Sequence, residues 1–160
     1  MTKAPKVLAI ASSGGHFVQL LRLMPAFEGC KVTVASTDPA LVSEVVAQAD
    51  RLQMSAPAFR VVTDANRWQK LKLIKSLFGI GRLVFGLRPD VVITTGAAPG
   101  YFALRLGRLA GARTIWLDSI ANAEGLSLSG RKAGRHADLW LTQWPELARP
   151  DGPRYEGAVL

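Results

Sequence analysis

The sequence is short of cysteine, histidine and acid, and each shortage excludes something. A single cysteine, Cys30, in 160 residues rules out an internal disulfide and fits a reducing compartment. His16 and His136 lie far from each other and from Cys30, which leaves no metal-ligand spacing, so no metal is expected. No run of about 18 apolar residues occurs, which excludes a conventional spanning helix. The opening "MTKAPKVLAIASSGG" has an apolar run too short for a secretory signal and no small-residue cleavage site, and a cytoplasmic location is expected. The dinucleotide fingerprint G-x-G-x-x-G and the phosphate loop G-x-x-x-x-G-K-[ST] are both missing, which argues against an ordinary nicotinamide or nucleoside-triphosphate site. Twelve acidic residues stand against 20 basic ones, a net charge of +8. That balance calls for an anionic partner: nucleic acid, a phospholipid surface or a phosphorylated substrate. The basic residues adjoin aliphatic side chains and no RNA- or DNA-binding motif is present, so nucleic acid is not expected.

What the chain does have is alternation. Short apolar, β-rich runs at 6–11, 31–36, 59–62, 90–96, 113–119 and 138–144 read as strands, with 157–160 as a short last one. Helical spacing falls between them, at 16–27, 39–49, 67–87, 99–110 and 129–137. The runs are continuously apolar rather than alternating, as expected of a parallel sheet covered on both faces. The expected fold is α/β, a Rossmann-like doubly wound parallel sheet forming one domain over residues 1–160.

The turn "SSGGH" between the first strand and the first helix sits where such sheets bind ligands, at the carboxyl edge. Glycines there allow close backbone approach, and free N–H groups at a helix start favour anions. The plain alternative is that Ser13 caps the helix while Gly14 and Gly15 make a turn. His16 at the mouth of this turn is a candidate base, proton donor or phosphate partner. A purely structural hydrogen bond is its other reading, and His136 is read as structural or exposed. The remaining strand ends, "STDPA", "TDANR", "TTGAAPG" and "LDSIANAEG", carry turn and cap residues. All should share the edge occupied by "SSGGH", which favours a ligand crevice.

Taken in order, "SSGGHFVQL", "TDANR", "ITTGAAPG", "LDSIA" and "LTQWPEL" resemble the acceptor-binding subunit of two-component glycosyltransferases. That family includes the eukaryotic subunit that helps add the second N-acetylglucosamine to dolichol diphosphate sugar, and bacterial counterparts in exopolysaccharide and capsule synthesis. The resemblance covers residues 6–160. It implies the N-terminal, acceptor-side half of a two-domain (GT-B) glycosyltransferase. A separate, small glycosyltransferase-like partner would bind the nucleotide-sugar donor, a UDP-sugar, so no cofactor is expected on this chain. It also implies a polyprenyl-diphosphate-linked sugar acceptor and a peripheral position on the inner face of the cytoplasmic membrane. Ser13, Gly14, Gly15, Asn66, Arg67, Gly96, Pro99 and Ser119 match acceptor- and phosphate-facing positions. His16 is the first choice for the catalytic base and Asp118 the second. Asp118-Ser119 stands where the family usually reads Glu-Ser, one methylene longer. No N-terminal membrane anchor is expected, unlike the eukaryotic members. A non-catalytic scaffold that only recruits a catalytic partner is the alternative function.

The segment 67–88 carries six basic residues and no acid. On a helix Lys72, Lys75 and Arg82 share an arc of roughly 80°, with Leu71, Ile74, Leu77, Phe78, Val84 and Phe85 on a broad opposite face. That pattern is expected to contact membrane through Lys72, Lys75, Arg82, Phe78 and Phe85; a buried domain helix with solvated lysines is the other reading. Gly79, Gly81 and Gly86 predict a break near 79–81. The apolar end "RYEGAVL" reads as a subunit junction or as a final edge strand.

Overall fold

The computed structural model describes residues 3–64 and 69–159. Seven parallel strands form one sheet: β1 Lys6–Ile10, β2 Lys31–Ser36, β3 Ala58–Val61, β4 Val91–Thr94, β5 Arg113–Leu117, β6 Leu139–Thr142 and β7 Arg154–Tyr155. Their spatial order is β3-β2-β1-β4-β5-β6-β7. The chain therefore starts in the middle of the sheet, builds outward to β3, crosses back and builds outward again. The order reverses between β1 and β4, and such a switch point opens a crevice at the carboxyl edge.

Period-two alternation on β1 sorts its side chains to opposite faces. Val7 and Ala9 join Phe17, Leu20 and Met24 from α1 (Gly15–Arg22) and the turn after it, and Val45 and Ala49 from α2 (Val42–Arg51). Leu8 and Ile10 meet Ile80 and Val84 from α3 (Lys70–Leu87) and Ala103 from α4 (Ala97–Leu109). Leu104, Trp116 and Ala133, the last from α5 (Leu128–Ala133), make a third cluster. Gly107 brings α4 close to the sheet, for a Cβ there would meet Val92 Cγ2 at 2.6 Å.

Four expectations need correction. The helix 70–87 is unbroken across Gly79–Gly81, because Ile80 and Val84 are fully buried beside α4 and the sheet and tertiary packing outweighs weak propensity. Val84 accordingly belongs to the core rather than to an outer apolar face. The last strand is Arg154–Tyr155 instead of 157–160; residues 157–159 run on without strand pairing. The helices expected at 16–27 and 39–49 are split by prolines into α and 3₁₀ turns, with 3₁₀ turns at Met24–Phe27 and Pro39–Leu41.

His136 follows α5 with its ring edge-on to Tyr101, centroids 5.9 Å apart. Burial, and then the charges of Arg105, Arg108 and Arg135, hold it below its ordinary value of 6.5. The folded chain thus takes up this proton less readily than the unfolded one. Stability from His136 is complete above about pH 6.5 and is lost as pH falls through the lowered value. Thermal unfolding between pH 7.5 and 5.5, roughly the window this shift defines, should show a steeper acid loss in the native chain than in His136→Gln. Parallel curves would remove the assignment.

Candidate functional site

The turn after β1 and the turn after β4 meet at the switch point. Gly14 begins α1 at φ 78° and Gly96 begins α4 at φ 136°, conformations that residues with a Cβ rarely adopt. Neither helix start has a side-chain cap, and neither first turn contains an acid. Two helix starts therefore meet with no acid in either first turn, an arrangement that suits phosphate or another anion. Ser13 is exposed and caps nothing; its N–H donates to Thr37 Oγ1 at 3.1 Å, tying the turn to the end of β2. Gly15 is exposed in the first turn.

His16 joins the two turns. Its Nδ1 lies 2.9 Å from the Thr95 carbonyl oxygen, and Thr95 Oγ1 donates back to the His16 carbonyl at 2.6 Å. A carbonyl only accepts, so Nδ1 carries the proton in the neutral ring and Nε2 holds the lone pair. The imidazole rests against Gly96, where a Cβ would come within 2.6 Å of His16 Cε1. Ring and glycine are thus fitted to each other. Ala97, just beyond, is held at φ 65°, a strained conformation for alanine.

Asp118, the second choice for the base, is enclosed by donors. It is 1% exposed, just past the end of β5, and four donors from Trp116, Asn122 and Ser127 reach its two oxygens. Trp116 Nε1 (3.1 Å) and Ser127 Oγ (2.7 Å) donate to Oδ1, while Asn122 Nδ2 (3.1 Å) and the Ser127 N–H (3.0 Å) donate to Oδ2. Gly130 abuts it, with no room for a Cβ beside Oδ1. With its oxygens so occupied, Asp118 anchors the loop 119–127, and the role of second base is not carried forward. Its short side chain fits this closed pocket.

Ser119 is buried nearby, its Oγ accepting from Gln19 Nε2 and the Ala121 N–H. Pro99 is buried in the first turn of α4 and shapes that turn. Asn66 and Arg67 lie outside the described residues. Asp38 is consumed locally, accepting from the Ala40 N–H at 2.9 Å. The structure thus gathers Ser13, Gly14, Gly15, His16, Gly96 and Ser119 at one edge. Sequence reasoning passed over Thr95, Gln19 and Gln143; an uncharged amide inside the apolar run "HFVQLL" was the available signal.

The residues expected to contact membrane form a separate surface on α3. Leu71 and Phe78 are 85% and 82% exposed, Ile74 and Phe85 61% and 52%. Lys72, Lys75 and Arg82 are exposed too, and the row of Lys75 and Arg82 borders the apolar stripe rather than opposing it. Among the described residues no helix is long and apolar enough to cross a membrane.

No model of a known protein family matches the chain. Among solved structures it is similar to MurG of Acinetobacter baumannii, with a TM-score of 0.72 at 16% identity over 94% of this chain and 45% of that one. The UDP-GlcNAc 2-epimerase of Neisseria meningitidis gives 0.60 at 10% identity over 86% and 40%. The chain spans less than half the length of these structures. They establish the expected fold, a Rossmann-like α/β domain equivalent to one half of a GT-B glycosyltransferase. Among curated proteins, the human UDP-N-acetylglucosamine transferase subunit ALG14 is 27% identical over 88% of this chain and 76% of its own length. The Schizosaccharomyces pombe counterpart is 26% identical over 89% and 77%. The Eremothecium gossypii counterpart is 30% identical over 96% and 80%. The chain belongs to the family of UDP-N-acetylglucosamine transferase subunit ALG14.

Proposed function

We propose that this chain is the acceptor-side subunit of a two-chain glycosyltransferase. It binds a polyprenyl-diphosphate-linked sugar at the cytoplasmic membrane face and pairs with a nucleotide-sugar-binding partner in oligosaccharide or polysaccharide synthesis. The observation that carries this reading is the pair of uncapped helix starts at the switch point with His16 clasped between them. The backbone amides of the Gly14–Gly15 turn would hold phosphate oxygens of the acceptor. Nε2 of His16, which holds the lone pair of the neutral ring when Nδ1 donates to Thr95, would take the proton of the attacking hydroxyl. Family membership supports a transferase subunit. Lipid docking would fall to α3: its exposed Leu71, Ile74, Phe78 and Phe85 enter the interface while Lys72, Lys75 and Arg82 face anionic headgroups.

Co-expression with neighbouring genes followed by affinity purification tests this reading. A glycosyltransferase-like partner should co-purify, and the pair should transfer sugar to a polyprenyl-diphosphate acceptor carried in anionic vesicles. The Lys72→Glu, Lys75→Glu, Arg82→Glu chain should stay folded, since all three side chains are exposed, and should no longer sediment with those vesicles. Sedimentation of that chain at the native level would overturn the docking assignment. A chain that neither recruits such a partner nor retains the acceptor would overturn the function.

A further inference from the structure

A buried line of amides runs from the end of the described chain to the glycine turn. The Val159 N–H donates to Gln143 Oε1 at 2.8 Å. Gln143 Nε2 donates to Gln19 Oε1 and to the Asp118 carbonyl (2.9 Å for the latter). Gln19 Oε1 also accepts from the Ile120 N–H at 3.1 Å, while its Nε2 donates to the Gly15 carbonyl and to Ser119 Oγ, each at 3.1 Å. Backbone groups fix both amides: Ile120 N–H and Val159 N–H can only donate, and the Gly15 and Asp118 carbonyls can only accept. Neither amide can flip without facing donor to donor. Gln19 is 5% exposed and Gln143 2%, so water cannot replace the lost partners, and each unmade bond carries its full desolvation cost.

We infer that Gln19 is a positioning residue, through which the seating of residues 157–159 on Gln143 sets the shape of the glycine–histidine turn. Gly15 and His16 are consecutive, and the Gly15 carbonyl is held by Gln19 alone among the side chains of the described residues. Losing that bond loosens the first turn of α1, which is otherwise tied at the loop by Ser13 to Thr37, by His16 to and from Thr95, and by the Phe17 and Val18 N–H groups on the Gly14 carbonyl. The same amide fixes Ile120 and Ser119 on the facing turn, so both walls of the crevice depend on it. The coupling is a property of the isolated chain; only its consequence for transfer rests on the function proposed above.

Hydrogen exchange on the isolated chain, without partner, donor or acceptor, is the test. Val159→Pro deletes one N–H donor more than 130 residues from the turn (159 − 16 = 143 positions from His16). Exchange at the Phe17, Val18 and Ile120 amides, which are bonded to the Gly14 carbonyl and to Gln19 Oε1, should then rise by about tenfold, as for the loss of one buried bond, while β1 and β2 keep their native rates. Gln143→Leu and Gln19→Leu should produce the same pattern. Faster exchange confined to residues around 143 and 157–159 in Val159→Pro would overturn the coupling, and this variant remains decisive if the glutamine variants fail to fold. With the partner present, Val159→Pro should raise the acceptor KM several-fold with kcat nearly unchanged. Native acceptor KM together with loosened exchange would refute the functional consequence and leave the proposed transferase activity standing.

Discussion

His16→Ala is expected to slow sugar transfer by about 10²–10⁴-fold, the range for loss of a general base, with acceptor KM changed little. The substitution removes the imidazole but leaves Gly14 at φ 78° and the open start of α1, so the anion site survives. His16→Asn tells base from brace. Its side-chain amide can still donate toward the Thr95 carbonyl but cannot take a proton, and transfer should stay as low as in the alanine variant. Gly96→Ala offers the same loss from the other side. Its Cβ would lie 2.6–2.7 Å from His16 Cε1 and Nδ1, and φ 136° disfavours any side chain. The ring must leave its bond to Thr95, and transfer should drop toward the His16→Ala level although His16 itself is intact. Single-turnover rates of the reconstituted pair decide the matter. Near-native transfer by His16→Asn would leave His16 a positioning group, and native transfer by His16→Ala would favour the scaffold role.

Asp118→Ala should cost about 3–5 kcal/mol of stability, since each donor left without its acceptor carries a desolvation penalty of about 1–3 kcal/mol where it is buried. Four donors lose their acceptor at once, from Trp116, Asn122 and twice from Ser127, around a carboxylate that is 1% exposed. Asp118→Asn keeps the shape but turns one acceptor oxygen into a donor. Whichever oxygen is replaced, a donor faces it: the Trp116 N–H at Oδ1 or the Ser127 N–H at Oδ2. A loss of about 1–3 kcal/mol is expected. Chemical denaturation of the two variants measures both. If Asp118→Ala unfolds at native denaturant concentration yet abolishes transfer, Asp118 is catalytic after all.

The sequence made the architecture legible because apolar period and turn chemistry act locally. β1, β2 and the "SSGGH" turn lie where the pattern puts them. What it could not show was direction. Asp118 follows a strand and is an acid, which reads equally well as a base or as an anchor. Period two held a usable hint, since Trp116 is fully buried toward α4 and α5 and Asp118, two residues on, shares its face. The glycines of α3 misled for the opposite reason. Their weakness is local, while the packing of Ile80 and Val84 that overrides it comes from α4 and β1, distant in the chain. At the far end, the apolar "GAVL" mimicked a strand, although Val159 spends its N–H on the Gln143 side chain rather than on a ladder. Gln19 was invisible as a functional residue because its partners lie 100 and 124 positions away.

The clasp between His16 and Thr95 joins residues 79 apart in the chain. β1 and β2 with their helices can associate early, since their contacts are local. The histidine's tautomer, however, is undefined until the chain has crossed back and β4 has docked beside β1. The Gln19 bonds need β6 as well, since Gln143 follows it directly. The crevice is therefore complete only when both halves of the sheet are in place. An imidazole signal of native form would report that both halves of the sheet have closed, well before any sugar is transferred.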